Sequence, residues 1–256
     1  MKTLTIFLGF LGIIGLISTS ERIDSKVYSF SGTKTERTGT GEKRQLMEGE
    51  TRHFENFEIH TIMLEPGKTS DESNIHKVSE EIIFVREGKL KISVNAESKV
   101  VGSGSVALIM PGDNYELENP GTANTTFYVI SYKSKQPINE ERGKIAGGSQ
   151  ILDFDAIEFT PHDKGGIRRY FDRKSAMSDR LEMHATNLNA GIKSHEPHTH
   201  HAAEIILMID GNTEMEIGDS VYKANKGDVY FVASDVPHAI KNIGDKQCMY
   251  FAYQWE

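Results

Sequence analysis

The 256-residue chain has one cysteine, Cys248, so no internal disulfide can staple it. Cys248 sits in QCMYFAYQW, which reads as a strand, and its thiol is expected to be a buried apolar filler rather than a nucleophile. The chain also lacks a basic block. Lys and Arg are scattered and the net charge is −8, which argues against a nucleic-acid surface built on clustered positive charge. The same acidity argues against docking on anionic membranes. Also missing is any long stretch with a 3.6-residue apolar period, so strands are the expected elements. Enough apolar material remains to fill cores. Hydrophobic residues make up 38% and aromatics 9%, which excludes wholesale disorder.

One continuous apolar run does occur, at the start. In MKTLTIFLGFLGIIGLISTS, Lys2 precedes a run from about Leu4 to Ile17, and small residues follow at Ser18 and Ser20. Residues 1–20 therefore read as a secretory signal peptide cleaved after Ser20. The mature protein is then exported, periplasmic or secreted, and free of the membrane. The alternative is an uncleaved anchor helix, for which the run is short against the about 20 apolar residues a bilayer needs. No Cys follows the run, which excludes a lipoprotein anchor. Loss of Lys2, the segment's single charged residue, takes the net charge from −8 to −9.

The remainder repeats itself. FEIHTIMLEPG from Phe57 lies over LEMHATNLNAG from Leu181 at an offset of 124. EIIFVREGKLKISV from Glu81 lies over EIILMIDGNTEMEI from Glu204 at an offset of 123, and GSVALIMPGDNYELENPG from Gly104 over GDVYFVASDVPHAIKNIG from Gly227. The chain is two copies of one module. Its segments are short, rich in Ile, Val, Phe and Tyr, and separated by glycine turns such as VREGK and MIDGN. KLKISV alternates polar and apolar residues, as a strand with one face toward a core does. The expected fold is all-β, an antiparallel sandwich or barrel in each half. Residues 1–20 form the signal segment, 21–50 a partly irregular N-terminal arm, 51–132 the first module, 133–150 a linker and 151–256 the second module.

The second module contains HEPHTHHAAE. From Gly191, six residues lead to His198-Thr199-His200, three more to Glu204 and six more to Gly211. Later, Gly227 is followed after ten residues by His238 and after three more by Asn242. These spacings resemble the paired motifs of the cupin superfamily, with one extra residue after Gly191. Ala233 and Asp235 stand where that family often has Pro and Gly. The resemblance covers both modules and implies two tandem cupin-type jelly-roll β-barrels.

It also implies His198, His200, Glu204 and His238 as ligands of one divalent transition metal. The residues support the same set. On a strand, His-x-His puts two imidazoles on one face, whereas on a helix they would point about 200° apart. Three imidazoles and a carboxylate suit Mn, Fe, Ni, Co or Zn. Two positions of a six-coordinate ion would stay open for water, substrate or dioxygen.

The first module is a control within the chain. It has Ile75, Lys77, Glu81 and Tyr115 at the four positions, with His76 out of register by one. The first barrel is therefore expected to be metal-free. Lys77 and Glu81 would form an internal ion pair, unless a one-residue bulge turns His76 inward.

Other residues carry weaker expectations. His195 and His201 flank the motif as bystanders at solvent or pocket-mouth positions. His184 and its repeat His60 lie on a polar strand face, and His184 is a candidate for supporting the metal ligands from behind or for shuttling a proton if that face lines the barrel. Ile206 and Met208 share the parity of Glu204 and suggest a partly apolar lumen. Arg168 and Arg169 could meet an anionic substrate.

The resemblance leaves the reaction open, since cupins include dioxygenases, isomerases, decarboxylases, aminohydrolases and binding modules. Oxalate decarboxylase-like bicupins share the His, His, Glu, His set but usually keep it in both barrels. Ureidoglycine aminohydrolase-like bicupins share the metal-free first barrel but use a different ligand order. The expectation is a metal-dependent enzyme acting on a small polar, oxygen-chelating metabolite, with Glu204 and His184 as the catalytic candidates. The alternative is a non-catalytic periplasmic binder of a sugar or of the metal. A monomer and a homodimer are equally compatible with an internal pair of barrels.

Overall fold

The computed structural model describes residues 21–71 and 76–256; the expected signal segment at 1–20 and Ile75 lie outside the described residues. The chain opens with β1 (Lys26–Tyr28), β2 (Glu36–Arg37) and β3 (Gly41–Gly49), so the N-terminal arm contributes three strands. The first barrel continues through β4 (Phe54–Leu64), β5 (Glu80–Glu87), β6 (Leu90–Val94) and β7 (Glu97–Val101). It closes with β8 (Val106–Ile109), β9 (Tyr115–Glu118) and β10 (Thr125–Ser134). A short helix, α1 (Glu140–Ile145), follows, capped by the Asn139 side chain, which accepts from the Arg142 N–H.

The second half begins with β11 (Gln150–Leu152), β12 (Thr160–His162) and β13 (Gly165–Arg173). It continues through β14 (Leu181–Leu188), β15 (Ala203–Asp210), β16 (Thr213–Ile217) and β17 (Ser220–Ala224). The last strands are β18 (Val229–Val232), β19 (His238–Asn242) and β20 (Cys248–Trp255).

The fold is two tandem jelly-roll barrels, each a seven-stranded sheet facing a three-stranded one. The first has the order β11-β8-β5-β10-β4-β3-β2 against β7-β6-β9. The second has β1-β18-β15-β20-β14-β13-β12 against β17-β16-β19. One of the two outermost strands of each large sheet comes from the other half. β1 pairs with β18, Lys26 opposite Phe231, and β11 pairs with β8, Gln150 opposite Leu108.

Each exchanged strand is locked by a phenylalanine just beyond it. The Phe30 N–H donates to Asp228 Oδ1 at 2.8 Å, and the Arg86 guanidinium lies 4.0 Å from the ring. The Phe154 N–H donates to Ser105 Oγ at 3.1 Å, and Arg168 lies 4.4 Å from that ring. Gly104, at φ +90°, leaves the space that the Phe154 ring fills; a Cβ there would lie 2.4 Å from it. A side chain at Gly104 would therefore unseat the clasp.

Strand alternation sorts the apolar residues into three layers. Along β5, Ile82 and Phe84 face the layer between the barrels, while Ile83 and Val85 face the lumen. Both faces are buried, which is why β5 reads as a continuous apolar run. The middle layer is aromatic: Trp255 is fully buried and stacks on Phe57 at 4.6 Å and Phe54 at 5.6 Å. Truncating such a ring to Ala costs about 3–5 kcal/mol, so the two barrels are held as one unit. Cys248 is buried in the second lumen layer, as expected of an apolar filler.

Candidate metal centre

The site stands where the loop before β15 meets the start of β19. His198 and His238 form an isolated antiparallel bridge, so backbone hydrogen bonds bring the two imidazoles together. His198 and His200 precede the regular strand β15 and are not part of it. The segment is extended enough at the bridge to keep both rings on one side, but it bends at His201 and Ala202 before Glu204 enters. Ring centroids are 4.7 Å apart for His198 and His238, 4.8 Å for His200 and His238, and 5.4 Å for His198 and His200. One ligand atom from each of the three lies within 4.8 Å of the others.

Glu204 adds the fourth group. Its Oε2 is 3.1 Å from His238 Nε2 and 3.5 Å from His200 Nε2, and its Oε1 accepts from Gln254 Nε2 at 3.1 Å. Burial by itself would raise this carboxyl, but the hydrogen bonds from His200, His238 and Gln254 prevail and hold it far below the usual carboxylate range. His200 is raised by its hydrogen bond to Glu204, while burial and the neighbouring histidines lower His198. An anionic carboxylate beside imidazoles that can be neutral is the donor set a borderline divalent cation prefers. The residues fit such an ion.

The rings are held from behind. His200 Nδ1 lies 2.8 Å from the Ala202 carbonyl, and His238 Nδ1 lies 2.9 Å from the Val236 carbonyl. These carbonyls favour the tautomer with the proton on Nδ1, in which each Nε2 would be free to bind an ion in place of its hydrogen bond to Glu204. Outer partners of this kind fix tautomer and ring orientation in metal sites. Among the described residues, no carbonyl plays that role for His198. Its Nδ1 lies 2.9 Å from His195 Nδ1, and the two rings meet edge to face at 4.1 Å. His195 is therefore not a bystander: it lines the cavity and touches an expected ligand. His201 does stand outside, against His53 of the first barrel and 3.8 Å from Asp235.

Two motif residues are explained by local backbone. Asn242 donates its amide to the Leu188 and Lys246 carbonyls and accepts from the Gly244 N–H, clamping the turn after β19. Asn119 makes the matching bonds in the first barrel, so this asparagine serves the fold rather than the ion. Asp235 adopts φ +64°, a conformation glycine takes without cost. Its carboxylate meets Arg52 at 2.7 Å, which ties the loop before His238 to the first barrel.

His198, Glu204 and His238 border a cavity of about 280 Å³ in the second barrel, and His200 lies just outside its lining. Leu188, Ile206, Met215, Ile240, Tyr250 and Ala252 give it an apolar floor. Met208 lies in the same lumen layer as Ile206. His184 lines the cavity too, so the polar face of β14 does point into the barrel, and its Nδ1 lies 2.7 Å from Glu182 Oε1.

Arg168 and Arg169 do not line the cavity. Arg168 is sandwiched between Phe154 and Phe159, because its position in β13 faces the layer between the barrels. The nitrogen-bearing side chains that do reach it from these strands are His162 and Lys164, at the β12–β13 hairpin, which no sequence motif marks. Gln254 and Glu182 were also beyond motif reading. Comparing the two copies would have singled out His162 and Lys164, since the first hairpin has Thr38 and Thr40 there.

The equivalent place in the first barrel is occupied differently. Tyr115 donates its hydroxyl to Glu81, and His76 turns inward, its Nδ1 3.6 Å from Glu81 and its ring 5.9 Å from Tyr115. The bulge alternative for His76 therefore describes this segment better than the Lys77–Glu81 pair. Lys77 is exposed. A buried ammonium would lose its hydration, whereas the tyrosine hydroxyl satisfies the carboxylate at less cost. Val129 also replaces Ala252 and adds bulk to the lumen. His60 and Glu58 repeat the His184–Glu182 contact at 2.8 Å, with His60 buried.

The cupin domain family profile matches residues 60–131 and 186–253. No curated protein sequence matches. Solved structures share the fold at low identity. Oxalate decarboxylase of Lactobacillus farciminis, in a formate complex, is 13% identical, with 93% of this chain and 87% of that one covered and a TM-score of 0.70. Ylba of E. coli is 12% identical, with 94% and 95% covered and a TM-score of 0.71. A putative glyoxylate-induced protein of Pseudomonas aeruginosa is 19% identical, with 90% and 87% covered and a TM-score of 0.69.

Proposed function

The chain belongs to the cupin family, and from that premise we propose that it is an exported, metal-dependent bicupin enzyme whose second barrel acts on a small polar metabolite. The observation that carries this reading is the meeting of His198, His200 and His238 with Glu204 at the edge of a semi-enclosed, partly apolar cavity. His198, His200, Glu204 and His238 would hold one divalent transition metal. Bound there, the ion supplies Lewis acidity or a seat for dioxygen.

The chain's own groups divide the remaining work. Glu204 would be a poor proton acceptor with the ion bound, because its carboxylate would already be committed to the metal. His184 is better placed. With Nδ1–H donated to Glu182, its Nε2 presents a lone pair to the cavity and can take a proton from a bound substrate. Leu188, Ile240 and Ala252 exclude water from the floor and leave room for a few carbon atoms.

A binder without turnover is the second reading. It is favoured by the recurrence of the same His–Glu contact in the first barrel at His60 and Glu58, which suits a structural role for the pair. Turnover assays on metal-loaded protein with a panel of oxygen-chelating metabolites separate the two. Turnover that is lost in His238→Ala and reduced in His184→Gln, with metal retained in the latter, supports the enzyme. Saturable binding with no turnover supports the binder. Export rests on the pattern of residues 1–20; a mature N-terminus at Glu21 in the periplasmic or secreted fraction is the expected result, and an intact Met1 in the cytoplasm would overturn it.

A further inference from the structure

The cavity wall contains an ammonium that an ion site does not need. Besides the expected ligands, His162, Lys164, His184 and His195 border it, while Glu204 is its one lining carboxylate. Glu204 is already engaged by His200, His238 and Gln254. Lys164 is the telling group. Its Nζ donates to the Ser194 carbonyl at 2.7 Å, which aims the ammonium at the cavity wall and uses one of its three protons. Among the described residues, no carboxylate lies within ion-pairing distance of it. Elsewhere in the chain a lysine near a site of this kind is matched. Lys193, just outside, pairs with Glu216 at 2.9 Å.

The two barrels supply the comparison. The β2–β3 and β12–β13 hairpins are equivalent in backbone, since the Thr40 carbonyl accepts from Glu65 N–H at 3.0 Å and the Lys164 carbonyl from Asn189 N–H at 2.9 Å. Where the first hairpin has Thr38 and Thr40, the second has His162 and Lys164. The His162–Lys164 pair is therefore not required by the hairpin. It occurs only in the barrel that holds the histidine cluster.

We propose that His162 and Lys164 form an anion clamp that selects a small organic acid, bound at one end by the metal ion and at the other by a carboxylate held at the hairpin. This rests on the metal reading above and adds the substrate's chemical class. The ligand has two anchors separated by a short carbon segment, which lies on the Leu188–Ile240 floor. A neutral sugar or a monofunctional chelator would leave Lys164 unmatched. A carboxylate there replaces the ammonium's lost hydration with a charge-assisted bond in a semi-enclosed site.

The test uses the full mature chain loaded with Co²⁺, whose visible bands report the ion's surroundings. Succinate is titrated against succinamate, its half-amide, and against acetate, with binding followed by the Co²⁺ spectrum and by calorimetry. The expected result is at least about tenfold tighter binding of succinate than of succinamate, a difference worth about 1.4 kcal/mol. His162→Thr/Lys164→Thr imports the residues the first hairpin already tolerates. It should bind Co²⁺ in the same stoichiometry and lose the preference. Equal binding of succinate and succinamate by the parent protein, or an unchanged preference in the variant, overturns the clamp. Failure of the parent to bind Co²⁺ at all would instead overturn the metal reading, so the two failures are separable.

Discussion

His198 and His238 face each other across a two-bond bridge, each backbone N–H donating to the other's carbonyl, at 3.2 Å and 3.1 Å. The bridge joins the loop before β15 to the first residue of β19, so the main chain sets the approach of two imidazoles from distant parts of the sequence. An ion arriving there meets a site already arranged, which favours affinity because little side-chain freedom is left to lose.

One equivalent of divalent metal per chain is expected in protein dialysed at neutral pH, read by elemental analysis. His198→Ala and His238→Ala should each fall well below one equivalent, and two equivalents in the parent would refute the assignment. Release should follow acidification. His200 is raised by its hydrogen bond to Glu204, and proton and ion compete for the same lone pair. A titration of bound Co²⁺ from pH 8 to pH 5 should show loss at the acid end.

Gly104→Ala tests the strand exchange. A Cβ at Gly104 would sit 2.4 Å from the Phe154 ring, and the φ of +90° is unfavourable for alanine in any case. The variant should lose about 2–4 kcal/mol in chemical denaturation. Gly112→Ala, at φ +85° with open space around it, carries the backbone cost alone and should lose less.

Glu80 offers a pH test of the join between the barrels. Its Oε1 accepts from the Ala176 and Met177 N–H groups at 2.7 Å and 3.2 Å. Burial raises its carboxyl above the usual range, against the hydrogen bonds that lower it. A raised folded pKa gives stability that is full below the unfolded pKa and is lost as pH rises through the folded one. Gln cannot ionise and escapes that loss. Glu80→Gln should therefore raise Tm by about 2–4 °C at pH 8 and leave it unchanged near pH 4. Glu80→Ala removes the acceptor and should cost about 2 kcal/mol at both.

Cys248 should be inert in the folded protein. It is buried in the second lumen and burial pushes its thiol up to about 11, so little thiolate exists at pH 8. A disulfide reagent should label less than a tenth of an equivalent in an hour natively, and one equivalent in denaturant. Rapid native labelling would show that the lumen opens.

Much of the fold was legible because it is encoded locally. The alternation in KLKISV and the glycine turns announce strands, and the offset between the two copies announces two barrels. The weak points were residues whose role depends on what lies opposite. Lys77 had the spacing of a partner for Glu81, yet Tyr115 reached the carboxylate from β9 and the ammonium stayed in water. Arg168 carried the charge expected at an anionic site, but one residue of strand parity turned it onto Phe154 and Phe159.

By itself, the sequence determined the strand content, the repeat, and a His, His, Glu, His pattern present in one copy alone, since each depends on spacing along the chain. Tertiary structure alone decided which of the ten histidines meet. It set His195 behind His198, brought His184 and the His162–Lys164 hairpin to the same cavity, and sent β1 and β11 into opposite barrels. Those outcomes depend on which strands pair across the closed sheets. Such pairing is a property of the packed whole, and no local run of residues records it.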